Sequence, residues 1–344
     1  MPNYGPIEYD IDLESPGKRV DSLRLTHSDN TNAFSVIPIP IAVIANGSGP
    51  TVLLAAGNHG NEYEGQVILR ELVRELSAHD VQGRLIVLPS MNMPAVRADV
   101  RVSPLDGGNL NRVFPGAADR GPTDAIAGFV ANVLLPLCDA GIDIHTGGNM
   151  GTFVPLVFLC RCDDRAVFQK SAELAFAFAA PWTYLVTGIE DEGGFDPCSQ
   201  TQGVAFISTE LGGGWRLGHE TLSIGRRGVR NMLAHLGVVK AAGDAGVPLV
   251  TPRYLTNSGS NSNLVSHSAG FLETYFEPGM CVNTGDVVAT VHPIENGFDP
   301  PTILTAPRGG VIVSQRTTAH LRHGDIVMNI AGEIAQSDIT AAVS

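Results

Sequence analysis

The chain has 344 residues, of which 44% are hydrophobic and 17% are charged, with a net charge of −13 and a pI near 5.1. This length suits two domains, and this composition is typical of a folded globular protein and not of a disordered one. The acidic balance argues against binding to nucleic acid or to an anionic membrane through electrostatics. The acidic balance also favours solubility.

The sequence also bears on the compartment of the protein. The N-terminal stretch MPNYGPIEYDIDLESPG has no basic region and no apolar core, so it is not expected to be a signal peptide. No run reaches about 18 uninterrupted apolar residues, which predicts no membrane span. The five cysteines are an odd number scattered along the chain, as is usual in a reducing compartment. These features predict a cytoplasmic protein, and they leave a homo-oligomer open.

Residues 1–45 are predicted to form a β-rich N-terminal segment. The prolines in the adjoining stretch FSVIPIPIAVIANGSGP suit an edge strand. The next run, TVLLAAG, is continuously apolar, which is typical of a strand buried on both faces. After Glu62, apolar residues recur at helical spacing and predict a helix over EYEGQVILRELVRELSAH.

Further along, strands and helices alternate. Strands are predicted in RLIVLPSMN, GIDIHTGG and GVAFISTELGGG, and helices in DAIAGFVANVLLPLCDA, AVFQKSAELAFAFAA and RRGVRNMLAHLGVV. This alternation with short links indicates an α/β sheet covered by helices on both faces. In such sheets ligands gather at the carboxyl ends of strands. His59, His145 and Glu210 each lie at or just after the end of a predicted strand.

The C-terminal part of the sequence has a different pattern from the alternating strands and helices before it. The segment KAAGDAGVP, residues 240–248, is rich in small residues and is predicted to be a linker. After it come short strands and frequent turn signals, and PGMCVNTGDVVATV is echoed by RHGDIVMNIA, which resembles a lipoyl-like barrel-sandwich fold. No lysine occupies the hairpin tip near ENGFDPP, so we expect no swinging-arm cofactor. The predicted domains are an α/β domain, residues 1–245, and a smaller all-β capping domain, residues 246–344.

One short motif suggests a metal site. His59 and Glu62 lie three positions apart at a predicted strand–helix junction, and this spacing alone is a weak signal. A catalytic zinc ion needs three protein ligands and one open position for water. His145, at the end of another strand, is the candidate third ligand. Asp143, on the same strand face, could accept a hydrogen bond from one of the metal-binding histidines.

Taken in order, the motifs H-x-x-E, NMPAVRADVR, NLNRVFPG, DIHTGG and STELGGG resemble the succinylglutamate desuccinylase/aspartoacylase family. The resemblance spans about residues 50–330 and implies a zinc-carboxypeptidase-like mixed sheet flanked by helices. It also implies one zinc ion per subunit, held by His59, Glu62 and His145. The gap SPLDGG between Arg101 and NLNR is longer than the family pattern leads us to expect.

The resemblance further implies roles for other residues. Glu210 matches the catalytic glutamate, which takes a proton from water and returns it to the leaving amine. Arg101, or else the nearby Arg97, matches the arginine that polarises the substrate carbonyl. Asn111 and Arg112 match an Asn–Arg pair whose planar guanidinium offers a fork for a substrate carboxylate.

Two more candidate substrate contacts each have an ordinary structural explanation. Tyr275, in ETYFEPG, lies in the C-terminal domain that closes the site of related enzymes, but packing within a strand is the simpler role. Glu273 is also a candidate substrate contact, and a structural role within the strand is again the simpler explanation. The acidic run GIEDEGGFD, which ends at Asp196, could meet a substrate amine, although such a run is more often a solvated loop.

Within the family, the layout most resembles the bacterial branch that removes acetyl from N2-acetyl-L-2,4-diaminobutanoate during ectoine breakdown. We therefore expect a zinc-dependent amidohydrolase that acts on a small N-acyl amino acid. The alternatives are a deacylase of aspartoacylase or succinylglutamate desuccinylase type, a metallocarboxypeptidase, and a non-catalytic zinc-containing binding protein. A serine esterase is disfavoured because the chain has no G-x-S-x-G motif.

Overall fold

The structure is a computed structural model that describes residues 3–343, except residues 29, 31–32, 188–192, 242–249 and 258–261. Two predicted features therefore lie largely outside the described residues. They are the linker at 240–248, which includes the predicted domain boundary, and the acidic run that begins at residue 188.

The first two thirds of the chain form an N-terminal group of strands and then alternating strands and helices. These elements are β1 (Asn3–Tyr4), β2 (Ile7–Glu8), β3 (Gly17–His27), β4 (Ser35–Asn46), β5 (Thr51–Ala56), α1 (Glu64–Glu75), β6 (Gly83–Leu88), α2 (Met93–Ala98), α3 (Pro122–Phe129), β7 (Ala140–His145), β8 (Gly151–Phe153), β9 (Leu156–Cys160), α4 (Arg165–Phe178), β10 (Trp182–Val186), α5 (Phe195–Thr201), β11 (Ala205–Glu210) and α6 (His219–His235). The predicted α/β alternation is confirmed.

The last third of the chain is mostly strands. They are β12 (Arg253–Thr256), β13 (Asn263–Val265), β14 (Gly270–Thr274), β15 (Cys281–Val282), β16 (Val287–His292), β17 (Thr302–Thr305), β18 (Gly310–Arg316), β19 (His320–Leu321) and β20 (Ile326–Ile334), followed by the helix α7 (Gln336–Val343). None of the described helices is long and apolar enough to cross a membrane.

The large sheet is mixed, as expected, with the strand order β1-β2-β3-β4-β6-β5-β7-β11-β9-β10-β12-β20-β18-β15. Strands β6, β5, β7 and β11 run parallel to one another, whereas the flanking strands β4 and β9 are antiparallel to β6 and β11. The carboxyl ends of β5, β7 and β11 therefore lie side by side at one edge of the sheet, where ligands bind in folds of this kind.

Helices cover both faces of this part of the sheet. On one face α1, α4 and α6 pack through residues such as Leu69, Phe168 and Met232. On the other face α3 and α5 contribute Phe129 and Phe195. Every residue of β5 and β7 is buried as a result, which explains their continuous apolar runs.

The edge-strand prediction for β4 is wrong over its second half. Strand β4 pairs with β3 along its length, and from Ala42 to Asn46 it pairs with β6 as well. Its two prolines, Pro38 and Pro40, lie in the first half, outside the register with β6. Because this half does not pair with β6, the missing N–H groups of the prolines remove no hydrogen bond to β6. The prolines are therefore compatible with a strand whose second half is internal.

The echoed sequences of the C-terminal region fold into matching units. Each consists of a two-residue strand, a Gly-Asp turn and a longer strand, which are β15 and β16 in the first copy and β19 and β20 in the second. Gly285 and Gly324 both adopt φ +89 in these turns. Asp286 and Asp325 each accept a bond from the backbone N–H three positions earlier, at 2.7 and 2.8 Å.

The C-terminal strands divide between two sheets. Strands β14, β16, β17 and β19 form a four-stranded antiparallel sheet. Strand β12 continues the large sheet, because it pairs in parallel with β10 and antiparallel with β20. The C-terminal region is therefore largely antiparallel β structure joined to the main sheet through hydrogen bonds.

Candidate metal centre

Three potential metal ligands converge at the carboxyl edge of β5 and β7. His59 lies in the loop after β5, Glu62 lies just before α1, and His145 is the last residue of β7. All three side chains are buried, and one ligand atom of each lies within 4.8 Å of the others. The structure thus brings together the three residues that the sequence predicts as ligands.

The carboxylate of Glu62 lies between the two imidazoles. Its Oε1 is 2.8 Å from Nδ1 of His59, and its Oε2 is 2.9 Å from Nδ1 of His145. The backbone N–H of Thr146 also donates to Oε2, at 3.1 Å. Both Nδ1 atoms therefore face the same carboxylate, which is the arrangement of donors that a single ion requires.

The far nitrogens of both imidazoles meet oxygen atoms. Nε2 of His145 lies 2.7 Å from Oδ2 of Asp143, and that oxygen accepts a hydrogen bond from Asn58 at 2.8 Å. Nε2 of His59 lies 3.2 Å from Oδ1 of Asn109. An acceptor at Nε2 favours the tautomer whose Nδ1 is free to bind a metal. Asp143 therefore pairs with His145, and the sequence alone left open which histidine it would contact. Asn109 contacts His59, and sequence reasoning did not identify this contact.

The protonation of this cluster depends on burial and on mutual charge. Burial lowers the pKa of His59. Burial opposes the charge on Glu62, but the two histidines outweigh it and hold the pKa of Glu62 well below its usual value. Burial likewise opposes a charge on His145, but Asp143 and Glu62 hold its pKa well above the usual value. A divalent cation can take the place of that proton, because metal binding releases protons from its ligands.

The donor set fits a zinc-type ion. Two imidazole nitrogens and one carboxylate are a common ligand set for catalytic zinc, with a fourth position left for water. The oxygen contacts behind both imidazoles are the supporting interactions that such a site needs. His59, Glu62 and His145 could therefore hold one ion.

Glu210 lies directly beside this cluster. Strands β7 and β11 pair so that Glu210 is the cross-strand neighbour of His145. Within the described chain, Oε2 of Glu210 is buried and has no hydrogen-bond partner. Burial, together with the charge of Glu62, raises the pKa of Glu210 to about 8. A carboxyl group that can hold or release a proton near neutral pH suits general acid–base chemistry.

Arg101 reaches the cluster from its rim. Its Nη1 lies 3.2 Å from both Oε1 of Glu62 and Nδ1 of His59, while 45% of its side chain is exposed. Arg97 is exposed on α2, and it forms no hydrogen bond or ion pair with any described residue. This geometry favours Arg101 over Arg97 as the candidate that meets a substrate carbonyl.

The NLNR motif borders the cluster through its first asparagine. Asn109 contacts His59 and also caps the turn Leu110–Arg112, since its Oδ1 accepts the backbone N–H of Asn111 at 3.2 Å. Oδ1 of Asn111 accepts the backbone N–H of Phe195, at 2.9 Å. Arg112 is exposed, and its Nη1 donates to the backbone carbonyl of Asn111 at 2.6 Å. The structure thus places the Asn111–Arg112 pair against the start of α5.

The structure does not bring Tyr275 into hydrogen-bond contact with the cluster. Its side chain is 48% exposed, and its hydroxyl lies 2.5 Å from Oγ1 of Thr290 in the antiparallel sheet. Glu273 instead pairs with His292, with 2.9 Å between their side-chain atoms. In the part of the chain that is described, neither residue hydrogen bonds to a predicted metal ligand.

Asp196 is not in a solvated loop, so that expectation is wrong for this residue. It belongs to α5, only 6% of it is exposed, and its Oδ1 accepts a bond from Ser208 at 2.9 Å. Burial raises the pKa of Asp196 to about 6. The rest of the predicted acidic run, residues 188–192, lies outside the described residues.

This fold is that of a mixed α/β protein, and among the described residues it carries one candidate metal site, at the carboxyl edge of the sheet. A model of the succinylglutamate desuccinylase/aspartoacylase catalytic domain matches residues 48–236, and the chain belongs to this family. The expected family is thereby confirmed.

Similar proteins extend the match to nearly the whole chain. The N-alpha-acetyl-L-2,4-diaminobutyric acid deacetylase of Halomonas elongata is 38% identical over 332 residues, which are 96% of this chain and 96% of that protein. The product-bound ectoine utilization protein EutE (DoeB) from Ruegeria pomeroyi has 36% identity and a TM-score of 0.91, over 96% of this chain and 100% of that one. A succinylglutamate desuccinylase/aspartoacylase from Rhodobacter sphaeroides has 32% identity and a TM-score of 0.90, over 96% and 99%.

Proposed function

We propose that this protein is a zinc-dependent deacetylase of ectoine breakdown. It would hydrolyse N2-acetyl-L-2,4-diaminobutanoate to acetate and 2,4-diaminobutanoate. The observation that carries the substrate assignment is the 38% identity to the Halomonas deacetylase over 96% of both chains. The convergence of His59, Glu62 and His145 supports metal-dependent hydrolysis.

The metal would be held by Nδ1 of His59, Nδ1 of His145 and the carboxylate of Glu62, with one zinc ion per subunit. Such an ion supplies a water molecule of lowered pKa and polarises a carbonyl group. Asp143 and Asn109 would hold the two imidazole rings in the orientation and tautomer that binding needs.

Glu210 would move the protons of the reaction. It would take a proton from the attacking water and give it to the amide nitrogen as the carbon–nitrogen bond breaks. Its position beside His145 and its raised pKa support this role. Arg101 would stabilise the negative charge that develops on the carbonyl oxygen, since its guanidinium lies at the rim of the same cluster.

Asn111 and Arg112 would bind the α-carboxylate of the substrate. Their turn adjoins the metal-binding side chains through Asn109, and a guanidinium matches a carboxylate in shape. Tyr275 would contact the substrate from the C-terminal region, where about half of its side chain is exposed.

Four further expectations from the sequence remain predictions. They are the cytoplasmic location, the homo-oligomer, the domain boundary near residue 245 and the barrel-sandwich architecture of the C-terminal region. The matching turns at Gly285 and Gly324 support the barrel-sandwich assignment, because they give the two echoed segments one local geometry.

A substrate panel tests the proposed function. It compares both monoacetyl isomers of 2,4-diaminobutanoate with acetyl-aspartate, succinyl-glutamate and a dipeptide, each with and without a chelator. We expect the N2-acetyl isomer to be cleaved fastest, chelation to stop the reaction and zinc to restore it. Faster cleavage of another compound would contradict the substrate assignment. Stoichiometric zinc without turnover of any compound would indicate a binding protein.

A further inference from the structure

Asp196 is a buried carboxylate that the fold alone does not explain. Its Oδ1 accepts a hydrogen bond from Ser208, and Sγ of Cys160 lies 3.9 Å away. Asp196 is only 6% exposed, and among the described residues no lysine, arginine or histidine forms an ion pair with its side chain. A buried charge is costly unless it is paired, so a missing cationic partner is expected to come from outside the chain.

Asp196 lies on the face of the sheet that carries the metal-binding residues. In the register of β7 and β11, Ser208 is the neighbour of Asp143, and Glu210 is the neighbour of His145. Alternate residues of a strand point to the same face, so these four side chains share one face. The hydrogen bond from Ser208 places the Asp196 carboxylate on that face, two residues before the end of β11.

Asp196 also adjoins the turn that we assign to the substrate carboxylate. The preceding residue, Phe195, donates its backbone N–H to Asn111 at 2.9 Å. A Cβ added at Gly193 would lie only 2.3 Å from the carbonyl oxygen of Arg112, so these two segments are packed closely. A substrate whose carboxylate binds at this turn would therefore lie beside the segment that carries Asp196.

We propose that Asp196 binds the side-chain ammonium of the substrate and selects N-acyl amino acids that carry a short amine. This inference rests on the proposed deacetylase function and names the group that sets its specificity. Ser208 holds one carboxylate oxygen and thereby leaves the other for the ammonium.

The lengths agree with a two-carbon side chain. Ser208 and Glu210 are separated by two residues of strand, which is about 6.6 Å. An amine on two methylene groups reaches about 4 Å from its Cα, because it spans three single bonds of about 1.5 Å. A charge-assisted hydrogen bond adds about 2.8 Å. Together these lengths make about 7 Å, which is of the same order as that two-residue step of strand.

The test compares two substrates of similar shape on the zinc-loaded enzyme. N2-acetyl-2,4-diaminobutanoate carries the ammonium, and N-acetylhomoserine carries a neutral hydroxyl group in its place. For each protein the measured quantity is the ratio of the two kcat/KM values. Asp196→Asn should lower this preference for the amine by on the order of 10–100-fold, while turnover of N-acetylhomoserine is kept.

Asp163→Asn is the matched control, because it removes one negative charge from an exposed position. Its ratio should equal that of the unsubstituted protein. An unchanged ratio in Asp196→Asn would overturn the proposal. Equal loss of both activities with full zinc content would also overturn it, since Asp196 would then be structural.

A second variant covers the case in which Asp196→Asn does not fold. Ser208→Ala keeps the charge of Asp196 but removes its hydrogen bond, so it should lower the same ratio to a smaller extent through KM. An unchanged ratio would contradict the inference. Failure of the proposed function is a separate result, since it would appear as no hydrolysis of N2-acetyl-2,4-diaminobutanoate by the unsubstituted, zinc-loaded protein.

Discussion

His145 and Glu210 are the last residues of two adjacent parallel strands, and they are direct cross-strand neighbours. His145 contacts the carboxylate of Glu62 through Nδ1, and Glu210 has a buried oxygen that accepts no hydrogen bond from any described residue. The proposed metal ligand and the proposed proton carrier are thus fixed side by side by the hydrogen bonds of one sheet. Their separation depends on the strand register and not on a loop, which keeps the geometry precise enough for catalysis.

Glu210→Gln should keep its zinc and lose turnover. The amide has nearly the shape of the carboxyl group, but it cannot carry a proton between water and the leaving amine. We expect kcat to fall by about 10²–10⁴-fold, the usual contribution of a general acid–base group. Metal analysis of the purified variant and steady-state kinetics check both points. Loss of zinc, or wild-type turnover, would remove Glu210 from this role.

Arg101→Ala should lower kcat by about 10²–10³-fold, as the loss of one oxyanion contact does in other enzymes. Arg97→Ala is the matched control, because Arg97 is exposed four residues earlier on α2. It should behave like the unsubstituted protein in steady-state kinetics. If Arg97→Ala lost activity and Arg101→Ala did not, the two assignments would have to be exchanged.

Asn109→Ala should weaken zinc binding by about 10–100-fold, because the acceptor at Nε2 of His59 is lost. Asn111→Ala removes an asparagine of the same motif that bonds to Phe195 and not to a metal ligand. Competition with a chelator of known affinity measures both variants. Equal zinc affinities in the two variants would show that the contact between Asn109 and His59 does not support the site.

Gly65→Ala should destabilise the protein by about 1–3 kcal/mol, because an added Cβ would lie 2.7 Å from Cβ and the carbonyl oxygen of Ile144. This contact holds α1 against β7, so zinc affinity should fall as well. Gly225→Ala is the control, since its Cβ meets only the flexible tips of Ile68 and Leu211. Denaturant unfolding and chelator competition compare them, and equal stability of the two variants would contradict this account of the close approach.

The sequence predicts the parts of this fold that local patterns encode. Apolar runs reveal β5, β7 and β11, and the helical period reveals α1, so His59, His145 and Glu210 can be assigned to strand ends in advance. The neighbours of each strand are not encoded in this way. The pairing of β4 with β6, and that of β12 with β10, depend on contacts between residues far apart in the chain.

The same limit applies to the site. Asn109 lies in an irregular segment, and nothing in its local sequence indicates that His59 is its partner. Asp196 follows several acidic residues and therefore has the pattern of a solvated loop, yet packing of α5 against β11 buries it. One signal was available for Asn109, which is the first asparagine of the same NLNR motif that supplies Asn111 and Arg112.

The central claim is that two imidazoles and one carboxylate bind a single divalent ion. An anomalous difference map from crystals of the active, zinc-loaded protein, measured at the zinc absorption edge, tests it most directly. The account predicts one strong peak about 2.0–2.2 Å from Nδ1 of His59, Nδ1 of His145 and a carboxylate oxygen of Glu62. A peak at other side chains, or active crystals without a peak between these three, would contradict it.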